Sequence, residues 1–325
     1  MSRNRDQTFI QVHTILLFLI LIIILGFALY IRDIWSQVST AGSQVLRSLS
    51  HLLPHLTHPS SVPVTYPALL PRTKGRFSRS VASFLARTLI SSYNLHCDGD
   101  PCLPKGAKVH RIGNIGFLYT FPSQPSAIRV LSFRGSLEGE DFVADLDITQ
   151  VSLEGASKGI LVHRGMWSIW SSIWKEVEEN LLRDSSPLYI TGHSLGASLA
   201  AYSSSSLSKK PLPFKLYGTY LFGAPRAGNK VFTSSLDPSI WVLANRTDIV
   251  PTLPPTASSY FSGTYLYGDY DQVYWFEIEK GSLVENHSIL TYLEALEAPL
   301  PLRRLEVASE AQLVSRFPSK SSHSF

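Results

Sequence analysis

The chain reads as an α/β protein, one domain with a mostly parallel central sheet, preceded by an N-terminal transmembrane helix. Three observations predict this. A strand-like run, Pro187-Leu188-Tyr189-Ile190-Thr191, enters a glycine-flanked turn at Gly192-His193-Ser194-Leu195-Gly196 and leaves it through the small helical residues Ala197-Ser198-Leu199-Ala200-Ala201-Tyr202. A second buried strand, Trp241-Val242-Leu243-Ala244-Asn245, ends in the polar loop Arg246-Thr247-Asp248, where open α/β sheets keep their functional groups. Residues 14–31 form an 18-residue stretch without a charge, rich in Ile and Leu.

The G-x-S-x-G turn has the form of the nucleophile elbow of an α/β-hydrolase. Strand and helix approach so closely there that the positions two before and two after the serine have no room for a side chain. Ser194 then projects its Oγ into the open. A serine hydroxyl is a weak nucleophile near neutral pH and needs a base, itself oriented by a carboxylate. In this fold the chain order is serine, acid, histidine. Asp248 lies past a strand end, and His287, in Val284-Glu285-Asn286-His287-Ser288-Ile289-Leu290, is the one histidine between Ser194 and the C-terminal tail. His163 and His193 flank this chemistry and read as packed, hydrogen-bonded structural residues.

Five blocks in one order then carry a resemblance. Val130-Leu131-Ser132-Phe133-Arg134-Gly135-Ser136, Val162-His163-Arg164-Gly165-Met166, the elbow, Leu221-Phe222-Gly223-Ala224-Pro225-Arg226-Ala227-Gly228-Asn229 and Asp248-Ile249-Val250-Pro251-Thr252-Leu253-Pro254-Pro255 are similar to segments of the fungal-type (class 3) lipases. Met166 stands where that family has phenylalanine. The resemblance covers about residues 77–297 and implies an α/β-hydrolase domain with Ser194 as nucleophile, His287 as general base and acid, and Asp248 as orienting carboxylate. It implies an oxyanion hole from the backbone N–H of Leu195 and from Ser136. Losing one such donor typically costs about 3 kcal/mol of transition-state stabilisation. Arg134 and Gly135 are expected to shape the turn.

Residues 137–147 hold five acids among eleven residues, with Leu137, Phe142, Val143 and Leu146 as their apolar members. The spacing of Phe142, Val143 and Leu146 gives a short helix one greasy and one acidic face. The resemblance makes this segment a lid; an ordinary solvated surface helix is the other reading. An acidic lid face favours neutral glycerolipids over strongly anionic lipid.

As a helix, residues 14–31 span about 27 Å, close to the ~30 Å hydrocarbon core of a bilayer. A cleaved signal peptide ending near Gly26-Phe27-Ala28 competes, though its apolar core is longer than usual. Arg3 and Arg5 before the span favour a cytosolic N-terminus. Residues 42–57 carry Val45, Leu46, Leu49, Leu52, Leu53 and Leu56 on one helical stripe, to lie on a membrane or pack on the domain. Prolines 54, 59, 63, 67 and 71 make a semi-rigid spacer, and Arg72, Lys74, Arg76 and Arg79 a basic cluster for headgroups or solvent. Val81, Phe84, Leu85, Thr88 and Leu89 then read as the first core helix. The layout is therefore a stub (1–13), an anchor (14–31), a Pro/basic linker (32–76), the catalytic domain (77–300) and a flexible tail (301–325). Those domain residues suffice for one core and no second domain, since single domains of about 200 residues are ordinary.

The net charge of +4 is small and, apart from the linker cluster, dispersed, and nothing in it points to a nucleic-acid surface. No metal-ligand spacing or cofactor motif is present among the ten histidines and two cysteines. Cys97 and Cys102 are close enough to bridge through a Gly-Pro turn in an oxidising lumen, or remain thiols. Against a lumenal side, both N-glycosylation sequons, Asn245-Arg246-Thr247 and Asn286-His287-Ser288, abut a triad residue. The expectation is a membrane-anchored serine lipase cleaving fatty-acyl esters of tri-, di- or monoacylglycerol, its partners lipid ester and membrane. A phospholipase of A1 type and a non-catalytic, membrane-tethered lipid-binding module are the alternatives, and a cleaved leader would make the protein secreted.

Overall fold

The structure, a computed structural model, describes residues 76–94, 103, 106–123, 127–136, 148–153, 159–260, 263–298 and 301–304. All of them fall in one compact unit, Pro63–Phe325. The expected anchor, all of the linker but Arg76, and Cys97 and Cys102 lie outside the described residues. Among the described residues no helix is long and apolar enough to cross a membrane.

The elements run α1 (Arg79–Ser92), β1 (Lys108–Ile112), β2 (Gly116–Phe121), β3 (Ile128–Phe133), β4 (Gln150–Ser152), β5 (Leu161–His163), α2 (Arg164–Leu182), β6 (Leu188–His193), α3 (Leu195–Leu207), β7 (Leu216–Phe222), α4 (Lys230–Ser234), β8 (Ile240–Asn245), a 3₁₀ turn (Val250–Thr252), β9 (Ala257–Tyr260), β10 (Gly263–Leu266), β11 (Val273–Phe276), α5 (Leu283–His287), α6 (Ile289–Glu297) and β12 (Arg303–Arg304). The main sheet has the order β1-β2-β3-β6-β7-β8-β11-β12. Its centre, β3-β6-β7-β8-β11, is parallel throughout. The flanking pairs β1-β2, β2-β3 and β11-β12 are antiparallel. Arg303 lies opposite Trp275, so the sheet continues past residue 300, where the tail was expected to begin.

Parallel strands buried on both faces need apolar residues at successive positions, with the period of two deciding which layer each joins. Leu131, Phe133, Leu188, Ile190, Leu221 and Val242 face α2 and α3, where they meet Met166, Trp170, Leu181 and Leu199. Val130, Tyr189, Tyr220, Phe222, Trp241 and Leu243 face the other way, against Val81, Leu85, Leu89 and Ile90 of α1 and Tyr292 and Leu296 of α6. A fully buried side chain of this size contributes about 1.5–3 kcal/mol, so these two layers hold the sheet rigid beneath the site.

Two buried or half-buried arginines act as struts. Arg129, 1% exposed, donates to the carbonyls of Leu181 (2.7 Å) and Ser186 (2.9 and 3.1 Å), tying the end of α2 to the start of β6. Arg79 of the expected basic cluster reaches the Ala298 carbonyl at 3.1 Å and so caps the end of α6. A cation satisfies orphan carbonyls and complements the helix dipole there.

Candidate active site

Strand β6 delivers Ser194 at its C-terminal end, and α3 begins one residue later. Ser194 has φ 58°, a backbone region that costs a non-glycine residue roughly 1–3 kcal/mol and persists where the surroundings enforce it. The enforcement is visible in its neighbours. A Cβ on Gly192 would lie 2.1 Å from the Gly196 carbonyl oxygen, and one on Gly196 would lie 2.2 Å from that of Phe133. The serine N–H is held by the Phe222 carbonyl at 3.0 Å. Contrary to expectation, Ser194 does not stand in the open: it is 6% exposed. The turn after β3 closes over it, with a Cβ position at Gly135 only 2.7 Å from Ser194 Cβ.

Strand β8 ends at Asn245 and releases Asp248 into the loop before the 3₁₀ turn. Its side chain is fully buried, and His287, the last residue of α5, sets Nδ1 2.7 Å from Asp248 Oδ2. Tyr292 donates to the same oxygen at 2.6 Å, while Oδ1 accepts the Val250 N–H at 2.9 Å. Burial first, then the adjacent carboxylate, push the Tyr292 phenol far above its ordinary range, so it stays a donor. A carboxylate oxygen only accepts, so His287 donates its Nδ1–H to Asp248, and in the neutral imidazole the lone pair is then on Nε2. His287 Nε2 is buried and has no hydrogen-bond partner among the described residues. Gly223, at φ 55°, makes room for this pair: a Cβ there would lie 2.9 Å from His287 Cε1 and 3.1 Å from Asp248 Oδ2.

Ser136 and Leu195 line one cleft of about 430 Å³, together with Arg134, Gly135, Asn114, Ile115, Ile169 and Ile173. Leu195 opens α3, so its N–H belongs to the first turn, whose donors have no intrahelical acceptor. Arg134 donates to the Gly135 carbonyl at 3.0 Å and shapes the turn, as expected. The expected lid residues Leu137, Phe142, Val143 and Leu146 lie outside the described residues. His163 caps α2, its Nδ1 accepting the Met166 N–H at 3.4 Å. Among the described residues no cluster of His, Cys, Asp or Glu is fit to hold a metal ion.

Sequence reasoning missed the residues that join the acid and histidine segments. Asn245, fully buried, donates to the carbonyls of Ile278 (2.8 Å) and Asn286 (3.1 Å) and accepts the Ile278 N–H at 3.0 Å. Asn286, 4% exposed, donates to the Thr247 carbonyl (3.3 Å) and to Glu279 Oε1 (2.9 Å), and accepts the Lys280 N–H at 2.7 Å. Both sequon asparagines are therefore struts between the Asp248 loop and α5. A glycan on either is incompatible with this fold, so the sequons carry no information about the side of a membrane. Their position beside Asp248 and His287 was the available signal.

With this geometry in place, residues 130–258 match the family described as lipase (class 3). Over 139 residues it is 27% identical to the secreted mono- and diacylglycerol lipase 1 of Fusarium solani, covering 40% of each chain. It is 32% identical over 139 residues to the secreted mono- and diacylglycerol lipase A of Penicillium cyclopium, covering 40% of this chain and 44% of that one. The match thus spans less than half the length of either relative. The solved lipase of Rhizopus microsporus var. chinensis shares the α/β-hydrolase fold, at a TM-score of 0.51 and 19% identity, over 77% of this chain and 88% of that one.

Proposed function

We propose that the chain is a serine hydrolase of fatty-acyl esters of glycerolipids, working through Ser194, His287 and Asp248. The observation that carries this reading is His287, fixed through Nδ1 by Asp248 and left with a buried Nε2 that has no partner among the described residues, beside a positive-φ serine elbow. Ser194 Oγ gives its proton to His287 Nε2 as it attacks the ester carbonyl. The tetrahedral oxyanion takes hydrogen bonds from the N–H groups of Leu195 and Ser136. Collapse breaks the bond to the alcohol, which leaves with the proton from His287. Water, deprotonated by the same nitrogen, then splits the acyl-enzyme and releases the fatty acid. Asp248 stabilises the imidazolium formed in each half and stays ionised.

Two relatives named as mono- and diacylglycerol lipases make partial glycerides the leading substrates. A panel of mono-, di- and triacylglycerol, phosphatidylcholine and a short p-nitrophenyl ester tests the reading on one preparation. Glycerides turned over faster than phospholipid support it. Preference for phospholipid makes the protein a phospholipase, and no hydrolysis of any ester makes it a lipid-binding module.

The proposal includes a membrane anchor at residues 14–31, supported by the length and apolarity of that stretch. Residues 137–147 are its proposed lid. The names of the relatives favour a second reading, a secreted protein whose apolar segment is a cleaved leader. Sequencing the mature N-terminus decides between them: a start near Leu29 means secretion, whereas an intact segment that withstands alkaline carbonate washing means an anchor.

A further inference from the structure

Two buried or half-buried titratable groups lie against the proposed triad without a part in its proton transfers. Tyr93, the C-cap of α1, sets its hydroxyl 2.7 Å from Nδ1 of His193. The same hydroxyl oxygen accepts the Gly135 N–H at 2.6 Å. On its other side His193 directs Nε2 to the His287 carbonyl oxygen at 2.7 Å, and the two imidazoles stack with centroids 4.6 Å apart. His193 itself is 5% exposed.

The chemistry of the end groups fixes every proton in this chain. A carbonyl oxygen only accepts, so His193 Nε2 carries a hydrogen. A peptide N–H only donates, so Tyr93 Oη accepts from Gly135 and has its own hydrogen to give. A neutral His193 then offers the Nδ1 lone pair to receive it. Burial, followed by the neighbouring His287, holds His193 well below its ordinary pKa and keeps it neutral. Burial likewise raises the Tyr93 phenol and keeps it protonated. All hydrogens point one way, from Gly135 through Tyr93 and His193 to His287.

We propose that Tyr93 and His193 are positioning residues, a one-way hydrogen-bond brace that fixes the distance between the oxyanion turn at Gly135-Ser136 and the general base His287, with Ser194 between them. The inference rests on the ester-hydrolase reading. The brace spans the two segments that must hold still around the serine: the turn after β3, whose next residue is a proposed oxyanion donor, and the backbone of the histidine that moves the proton. Preorganised donors and near-attack geometry supply rate through placement, so a loosened brace lowers the chemical step and leaves ground-state binding alone. A histidine that only fills space has no such selectivity.

The test uses the full-length protein. Tyr93→Phe keeps the ring and its packing and removes only the hydroxyl. On a soluble short-chain p-nitrophenyl ester it should lower kcat roughly 10- to 100-fold, the scale of a small misplacement, with KM unchanged within about twofold. His193→Gln retains one donor and one acceptor and should recover much of the kcat that His193→Met loses. Unchanged kcat in Tyr93→Phe, equal loss in both His193 variants, or loss through KM overturns the brace. Nitrogen-15 NMR of the wild-type imidazoles gives a readout independent of turnover: His193 should be neutral with its hydrogen on Nε2. In Tyr93→Phe the low-field His287 Nδ1–H resonance should shift. A wild-type protein inactive on every ester sinks the hydrolase reading alone. An Nδ1–H or protonated His193, or an unmoved His287 resonance, sinks the brace.

Discussion

Tyr292 and His287 share one oxygen of Asp248: the phenol lies 2.6 Å and the imidazole Nδ1 2.7 Å from Oδ2. The phenol is also the acceptor for the Asn245 N–H at 3.2 Å, so α6 grips both ends of the segment that carries the acid. Replacing Tyr292 by Phe leaves a buried N–H unpaired and takes one of three donors from a buried carboxylate. Loss of a buried partner costs about 1–3 kcal/mol, so urea unfolding should show a deficit of that size. The kcat on a short ester should fall, but less than the roughly 10⁴-fold expected of Asp248→Asn, which disturbs the histidine tautomer. An unaltered unfolding midpoint means that the hydroxyl carries no weight.

The sequon asparagines give a separable effect. Asn286→Ala removes the amide that holds Thr247, Glu279 and Lys280 together while leaving every proposed triad atom in place. Stability should drop by about 1–3 kcal/mol. His287 follows Asn286 directly, so kcat should drop with it. A stable variant with wild-type kcat would detach α5 from the positioning of His287.

Much of this site was legible in the sequence, and the reason is local. The elbow, the strand end before Asp248 and the lone downstream histidine are each set by a few adjacent residues; β6 and β8 formed within two residues of their expected positions, while α3 runs five residues past Tyr202, to Leu207. What was not legible arises from pairing across distance. Nothing in the string Asn245-Arg246-Thr247 says that its amide meets Ile278 and Asn286. Nor does an arginine in a basic run announce that it caps a helix more than 200 residues away, as Arg79 does at Ala298. The burial of Ser194 follows from Gly135 approaching through the fold.

Gly135 supplies the sharpest steric prediction. A methyl there meets Tyr93 Oη at 2.5 Å and Ser194 Cβ at 2.7 Å, so either the proposed oxyanion turn or the elbow must shift. Gly135→Ala should lower kcat by roughly 100-fold or more, the cost of misplacing reacting groups by about 1 Å. Gly165, where a Cβ meets nothing closer than 3.5 Å, provides the control. Gly165→Ala should change stability by less than about 0.5 kcal/mol and activity hardly at all. Equal behaviour of the two variants contradicts the packing described here.

The neutral His193 also sets a pH dependence. Its ring faces Tyr93, His287 and Tyr292, and burial against them lowers its pKa well below 6.5. The unfolded chain titrates near about 6.5, so below that pH it binds a proton that the folded chain refuses. Stability therefore declines as pH falls from about 6.5 toward the depressed folded value, by at most about 1.4 kcal/mol per unit, and is flat in this respect above about 7.5. Urea titrations of wild type and His193→Gln across that range should show the steeper acid-side loss in wild type. Parallel slopes would mean that His193 is protonated as readily folded as unfolded.

The claim on which everything else depends is that Ser194 is a nucleophile activated by His287. Covalent labelling with a fluorophosphonate, read by peptide mass spectrometry on the intact protein, tests it most directly. One adduct is expected, on the peptide that carries Ser194, absent in Ser194→Ala and greatly slowed in His287→Ala, with Ser194→Ala also losing hydrolysis of a short p-nitrophenyl ester. Labelling of a different serine, or wild-type hydrolysis by the Ser194→Ala protein, contradicts the account.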